Sequence, residues 1–313
     1  MPSIETTGLT KRFGDDVVAV DDLDLTVEEG EVFGFLGPNG AGKSTTINLL
    51  LDFIRPTSGT ARVLGLDAQD DPAAIRRRVG VLPEGYGFAD PLVGREYVEW
   101  AVETKDADDA PSDLLELVGL GDAGERMAAD YSKGMQGRLA FAMALAGDPD
   151  LLILDEPSTG LDPNGIQNMR EVVRERAENG TTVFFSSHIL SEVEAVCDRV
   201  GVMKEGELVA LDSIEDLREN ATGGATIHVE CASPPGDLGV AGLPGVTGVT
   251  VEGRTLTVEC AAPSAKVDVV THVAERADVR DILSDTVSLE TLFNELTEGG
   301  RDATTADPAE AVR

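Results

Sequence analysis

The sequence predicts an α/β fold built on a largely parallel sheet with helices on both faces. Three observations carry that reading. Short, continuously apolar runs recur at Val32–Leu36, Val79–Pro83, Leu151–Leu154 and Thr181–Ser186; helix-like segments lie between them; and a glycine-rich loop, Gly37–Thr45, joins the first run to its helix. A strand covered on both faces loses the polar alternation of a one-sided strand, so buried parallel strands read as unbroken apolar runs.

Residues 4 to 35 alternate in strand fashion around turn signals at Gly14-Asp15-Asp16 and Glu28-Glu29-Gly30, which predicts an antiparallel layer ahead of the loop strand. Thr46–Leu51 continues a helix, Pro56–Thr60 is a turn, and Ala61–Gly65 is a further strand. From Gly85 to about Asp130 the composition turns helical, with interruptions such as Ala110-Pro111-Ser112, and reads as a helical insertion. Helices are expected from about Asn164 to Asn179 and over Ile189–Cys197, and Val200–Leu211 as a hairpin turning at Glu205-Gly206. Near Asn220–Gly224 the pattern changes. Strand-like Thr226–Cys231, Val246–Glu252 and Thr255–Glu259, a helix from about Ser264 to Ala277, and Val279–Leu283 suggest a small α+β domain in the order β-α-β-β-α-β. The expected organisation is a nucleotide-binding unit over 1–220 with its helical part at about 85–150, the small domain over 221–300 with a helix at Ser288–Thr297, and a disordered tail over 301–313.

The chain has a formal net charge of -33, with 58 acidic against 25 basic residues, and lysine is scarce. The acids are spread along a sequence that is 42% hydrophobic with clear periodicity, which points to a folded protein adapted to high salt rather than to disorder. At about molar ionic strength the Debye length shrinks to roughly 3 Å, and surface self-repulsion is largely screened. Direct nucleic-acid binding is disfavoured because no basic footprint exists; Arg76-Arg77-Arg78 reads as the solvated end of a helix. Cys197, Cys231 and Cys260 lack metal-ligand spacing and fit buried or free thiols in a reducing compartment, while His188, His228 and His272 are too scattered for a metal cluster. Met1–Glu5 is neither basic nor apolar, and no uninterrupted apolar run reaches membrane-spanning length, so a soluble intracellular chain is expected.

Gly37-Pro38-Asn39-Gly40-Ala41-Gly42-Lys43-Ser44-Thr45 has the pattern of a phosphate-binding P-loop in its strand-loop-helix setting. Gly37, Gly40 and Gly42 can adopt φ > 0 and turn backbone N–H groups inward around an anion, and the helix opening at Lys43 adds the positive end of its dipole. Lys43 supplies a point charge for the β and γ phosphates, Ser44 a hydroxyl for Mg²⁺, and Thr45 a further phosphate contact. Leu151–Leu154 runs into Asp155 and Glu156, at the strand end where open α/β sheets place their ligands. Asp155 is suited to the Mg²⁺ also touched by Ser44, and Glu156 to polarising an attacking water.

Tyr131-Ser132-Lys133-Gly134-Met135-Gln136-Gly137-Arg138 lies shortly before Asp155, Ser158-Thr159-Gly160-Leu161-Asp162 follows it, and Ser186-Ser187-His188 closes the next strand. In this order they resemble the signature, D-loop and switch histidine of ATP-binding cassette (ABC) proteins, a likeness that covers about residues 4 to 220. The resemblance implies a P-loop NTPase cassette fold, and ATP and Mg²⁺ as its ligands. Two copies would pair head to tail, the signature of one closing on the nucleotide held by the other. Ser132 and the Gly134 N–H would then face the γ-phosphate in trans, His188 would contact it and couple to Glu156, Asp162 would link the two sites, and Phe13 would stack on adenine.

Two departures from the commonest pattern stand out. Glu84 occupies the place of a glutamine that usually contacts Mg²⁺ and water; a carboxylate can also ligate Mg²⁺ but adds charge beside Asp155. In the signature, Lys133 replaces a usual Gly, Met135 a usual Gln, and Gly137 stands where a longer side chain is common. Leu82-Pro83-Glu84 and the ending Val287–Thr297 resemble the ABC-2 exporter branch, the daunorubicin-resistance type, here from a salt-adapted proteome of haloarchaeal type. The implied role is an ATP-hydrolysing energy-coupling subunit, cytoplasmic and held at the inner face of the membrane by a separate permease. A soluble ABC ATPase acting on nucleic acid, ribosomes or iron-sulfur assembly is the alternative, disfavoured by the single cassette, the lack of a coiled-coil insertion and the lack of a basic track.

Overall fold

The computed structural model describes residues 1–14, 16–220, 225–261, 265–285 and Phe293. The chain divides into two compact units, Met1–Ser213 and Ile214–Arg313, so the boundary falls at Ser213 rather than at 220. The reason lies in the pairing: the last ladder contact of the first unit is Ser213 with Arg199, after which the chain leaves the sheet.

In the first unit, β1 (Ile4–Phe13) and β2 (Val17–Val27) form an antiparallel hairpin. β3 (Val32–Leu36) leads through the glycine-rich loop into α1 (Lys43–Leu50). β4 (Ser58–Val63) and β5 (Leu66–Asp67) extend the hairpin into a sheet of order β2-β1-β4-β5. Then come α2 (Pro72–Arg78), β6 (Val79–Leu82), and a helical part of α3 (Gly94–Lys105), α4 (Pro111–Leu117) and α5 (Lys133–Leu145). β7 (Leu151–Asp155), α6 (Pro163–Glu178), β8 (Thr182–Ser187), α7 (Leu190–Glu194), β9 (Arg199–Lys204) and β10 (Glu207–Ser213) complete it. The helix expected over Ile189–Cys197 is therefore shorter, although Cys197 N–H still bonds the Val193 carbonyl.

The second sheet runs β10-β9-β3-β8-β7-β6, parallel throughout except for β10. Every residue of β3, β7 and β8 is buried, as their apolar runs require. One continuous core gathers Leu9, Leu23 and Val63 of the first sheet, Ile47 and Leu50 of α1, and Phe33, Ile153 and Phe184 of the second. Because β3, β8 and β7 are parallel neighbours, their carboxyl ends, at Leu36, Ser187 and Asp155, emerge along one edge. That register brings three separate motifs together. In the helical part, the Lys105 ammonium donates to the carbonyls of Arg76 (3.0 Å), Arg77 (3.4 Å) and Val79 at the end of α2, and burial pushes its pKa down.

The second unit contains α8 (Ile214–Asn220), β11 (Ala225–Cys231), β12 (Val246–Glu252), β13 (Thr255–Cys260), α9 (Ala265–Ala274) and β14 (Val279–Asp285). Its antiparallel sheet, of order β12-β13-β11-β14, packs Ile227, Val229, Leu256 and Val258 against Val269 and Val273 of α9. The first helix of the expected β-α-β-β-α-β order is only a 3₁₀ turn, Val240–Gly242. Pro234, Pro235, Gly236, Gly239 and Gly245 crowd that segment and deny it a regular helix. The helix expected at Ser288–Thr297 and the tail over 301–313 lie outside the described residues apart from Phe293. All three cysteines are buried, and burial pushes each thiol pKa up. No described helix is long and apolar enough to cross a membrane.

The junction of α5 with β6 is tight: a Cβ on Gly80 would overlap the Ala144 carbonyl, whereas one on Gly121 finds its nearest neighbour at 3.7 Å. Gly80→Ala should cost about 2–3 kcal/mol of unfolding free energy and Gly121→Ala less than about 0.5, as read by thermal or denaturant melts in high salt.

Candidate active site

The loop after β3 is shaped by its glycines, each for its own reason. Gly40 and Gly42 have φ of 83° and 110°, a left-handed backbone that side-chain-bearing residues adopt only with strain. Gly37 does not have positive φ, contrary to expectation; a Cβ there would come 2.5 Å from the Met203 carbonyl on β9. A Cβ on Gly42 would overlap the Ala19 carbonyl on β2, so the loop is clamped between strands of both sheets. Pro38 and Ala41 close the turn, Ala41 N–H donating to the Pro38 carbonyl at 3.1 Å, and Ala41 is buried in the core. Gly42 offers α1 no side-chain cap, and its first turn carries no acid, so the positive end of the helix is left for an anion.

A cleft of about 400 Å³ opens above this helix end. Of the residues the sequence singles out, Asn39, Gly40, Gly42, Lys43, Ser44 and Thr45 line it, faced by Glu84 and Glu156. Ala19, which sequence reasoning passes over, completes the wall.

Two of the lining residues, Lys43 and Glu156, belong to a chain of charges that continues to His188, which, like Asp155, does not itself line the cleft. Lys43 and Glu156 are each only 6% exposed, with Nζ 3.3 Å from Oε1. The ammonium aims its hydrogen bonds at the carbonyls of Gly37 (2.7 Å) and Pro38 (3.4 Å), so Oε1 holds the cation by charge alone and has no aligned hydrogen bond. The other oxygen, Oε2, lies 2.8 Å from His188 Nδ1. An ionised carboxylate can only accept, so Nδ1 carries the proton of that contact. Glu156 itself has φ of 50°. This left-handed kink at the end of β7, which costs of order 1 kcal/mol, is held by the Glu156 N–H to the Ser186 carbonyl (3.2 Å) and by Thr159 N–H to the Glu156 carbonyl (3.1 Å). Asp155, 4% exposed, accepts a short hydrogen bond from the Ser186 hydroxyl, which fixes its carboxylate.

Sequence reasoning also missed Glu192. It is buried on α7 and accepts from two hydroxyls, Ser158 at 2.6 Å and Ser187 at 3.0 Å. The Ser187 hydroxyl in turn receives the Ile189 N–H at 3.0 Å, so this carboxylate ties the segment after Glu156 to the turn that presents His188. A glutamate on a short helix has no sequence signal that separates this role from an ordinary solvated one.

The other singled-out residues stand apart from the cleft. Ser132 is exposed and caps α5, its hydroxyl accepting the Met135 N–H at 3.3 Å. Asp162 is exposed and caps α6 through the Gly165 N–H at 3.0 Å. Gly134 packs against this second segment; a Cβ there would lie 2.9 Å from the Gly160 carbonyl. Phe13 closes β1, is 47% exposed, and has the Lys11 ammonium 5.0 Å from its ring centroid. None of these four lines the cleft of its own chain.

Residues 20–159 match the family model described as ABC transporter. The chain is 43% identical over 219 residues to the bacitracin transport ATP-binding protein BcrA of Bacillus licheniformis, covering 69% of this chain and 71% of that protein. With the daunorubicin resistance ATP-binding protein DrrA3 of Streptomyces coeruleorubidus it shares 38% over 257 residues, covering 80% of each. An uncharacterized ABC transporter ATP-binding protein of Nostoc, all4389, is 44% identical across 68% of this chain and 64% of its own length. Among solved structures, an ATP-binding subunit of an ABC transporter superposes with a TM-score of 0.64 at 29% identity, over 69% of this chain and 91% of that one. The dimeric bacterial ABC transporter cassette MJ0796 superposes with a TM-score of 0.62 over 67% of this chain and 98% of that one; at 22% identity it speaks for the fold alone. The P-loop, the acid pair after β7 and the histidine after β8 thus sit in a cassette of known kind: the chain belongs to the ATP-hydrolysing ABC transporter ATP-binding proteins.

Proposed function

We propose that this protein is the energy-coupling subunit of an ABC-2 type exporter, closing on ATP with a second copy of itself and driving a separate membrane permease. The observation that carries the reading is the Lys43–Glu156–His188 chain, whose first two members line the cleft, with the signature and D-loop residues displayed elsewhere. One chain holds the machinery to bind and hydrolyse a triphosphate, and it presents Ser132, Gly134 and Asp162 to a site other than its own.

The residues fit ATP and Mg²⁺. Gly40 has nothing within 4 Å of where a Cβ would sit, which leaves the loop open to close approach by phosphate. The Lys43 ammonium rests on two neutral carbonyls and a carboxylate, and phosphate oxygens are stronger acceptors than carbonyls. Ser44, Asp155 and Glu84 would hold Mg²⁺, which supplies Lewis-acid neutralisation of phosphate charge when bound. With Lys43 drawn toward phosphate, Glu156 Oε1 is the acceptor free to orient and polarise a water, and His188 steadies the carboxylate through Oε2 while its other ring nitrogen serves the γ-phosphate. Phe13 would stack on adenine. In a head-to-tail pair, the Ser132 hydroxyl, the Gly134 N–H and the dipole of α5 would meet the partner's γ-phosphate, with Asp162 bridging the two sites.

The relatives named for bacitracin transport and daunorubicin resistance support an exporter. The groove between the helical part and the segment near Glu84 would receive a short cytoplasmic helix of the permease, keeping the subunit at the inner membrane face. The net charge of -33 supports a salt-adapted host and gives nucleic acid no electrostatic purchase. The Ser213 boundary supports a cassette followed by a separate small domain.

Glu156→Gln keeps the size of the side chain but removes both the base and the charge that faces Lys43. It should bind ATP as the native protein does, lose turnover by about 10²-fold or more, and accumulate as an ATP-bound dimer on size exclusion in high salt; continued hydrolysis would remove Glu156 from the base role. Affinity purification from membranes should recover a protein with several membrane-spanning helices of about 20 apolar residues each; ribosomal or nucleic-acid partners would sink the transporter reading.

A further inference from the structure

Tyr86 has no place in the chemistry above, yet three functional segments meet on it. It lies two residues beyond Glu84, across Gly85, whose φ of 75° makes a turn that a residue with a side chain would strain. Its phenol is half-buried, and its hydroxyl donates to the Thr159 carbonyl at 3.4 Å, in the segment between Glu156 and Asp162. It also fills the notch left by Gly137 on α5. A Cβ at Gly137 would come 2.5 Å from the Tyr86 hydroxyl, 3.4 Å from Cζ of the same ring and 3.2 Å from Leu161 Cδ2. One turn earlier, a Cβ at Gly134 would come 2.9 Å from the Gly160 carbonyl. Gly134 and Gly137 share a helix face, so the start of α5 and the Thr159–Leu161 segment are seated into each other there, with Tyr86 wedged against both.

We infer that Tyr86 is a positioning residue: a strut that passes a shift of the Glu84 loop to the Ser132–Gly134 and Thr159–Asp162 surfaces of the same chain, and so to the nucleotide of the second copy. The inference rests on the composite-site reading above. Tyr86 touches no reacting atom; it sets where two trans-acting surfaces stand. Catalytic geometry is sensitive at this scale, since a displacement of about 1 Å far from the chemistry can cost up to 10²-fold in rate.

The Gly137 notch makes the idea testable by repair. Gly137→Ala collides with the hydroxyl, and adding Tyr86→Phe removes only the colliding atom, leaving Cζ in ordinary contact. Steady-state ATPase kinetics and fluorescent-ATP binding would be measured on the full chain in high salt, with melts as a folding control. Gly137→Ala should lower kcat by about tenfold with KM and nucleotide affinity within about twofold, and the double variant should recover to within about twofold of Tyr86→Phe alone. Tyr86→Ala, which removes the strut without crowding α5, should lower kcat by about fivefold or more, again at unchanged affinity. This variant carries the test if Gly137→Ala fails to fold. Native kcat in Tyr86→Ala, losses that simply multiply in the double variant, or matching losses of ATP affinity would each overturn the inference. Glu156→Gln run alongside separates the two levels: if it still turns over, the reading of the site fails; if it is silent while Tyr86→Ala runs at the native rate, only the strut fails.

Discussion

Everything in the site turns on the Glu156 carboxylate, a buried charge that must be held ready yet remain usable. One oxygen faces Lys43 at 3.3 Å and the other His188 at 2.8 Å, and the residue is 6% exposed. Removing one partner of such a pair leaves an uncompensated charge in a poorly solvated place, at a typical cost of about 3–5 kcal/mol. The three residues therefore behave as a unit, although β3's loop, β7 and β8 contribute one each. The long, poorly aligned contact to Lys43 matters in its own right. An ion pair held by charge alone is more easily exchanged for phosphate oxygens than one also locked by aligned hydrogen bonds.

The fold supplies that geometry through strand order. Parallel pairing of β3 with β8 and β8 with β7 delivers the P-loop, the histidine and the acid to one edge without any long-range adjustment. Local strain does the rest: the left-handed turn at Glu156 bends the chain out of the strand, and Glu192 fastens the following segment to the histidine turn through Ser158 and Ser187. Around α5, glycines replace side chains where two segments seat against each other. The small antiparallel unit beyond Ser213 builds its own core around α9, separate from that of the cassette.

Much of this was legible in the sequence because its signals are short-range. Unbroken apolar runs gave the buried strands, and the family resemblance implied that His188 couples to Glu156, whereas the Lys43–Glu156 pair emerges only from the folded structure. What escaped depends on contacts between distant segments. Gly37 reads as a φ > 0 glycine but is there because Met203 approaches it; Ala19 contributes a wall and a backbone carbonyl, which no side-chain pattern announces. Glu192 reads as a surface acid and is instead a buried acceptor for two serines. The missing helix in the second unit was foreshadowed by its prolines and glycines, a composition the β-α-β-β-α-β template overrode. In the sequence Gly137 is only an unusual residue at its position; its reason is the distant Tyr86, which fills the notch it leaves.

The central claim is that each complete site takes its P-loop from one copy and its signature from another. Complementation between two disabled chains tests it most directly. Lys43→Ala abolishes the phosphate contact of its own chain, and Gly134→Asp sets a negative charge where the second copy's nucleotide would be met; each alone should be inactive. Mixed, they form some pairs in which one site has both halves intact, and ATPase activity should return to about a quarter of the native rate if the two sites of a symmetric pair act independently. No recovery on mixing, with heterodimers present, would contradict the account.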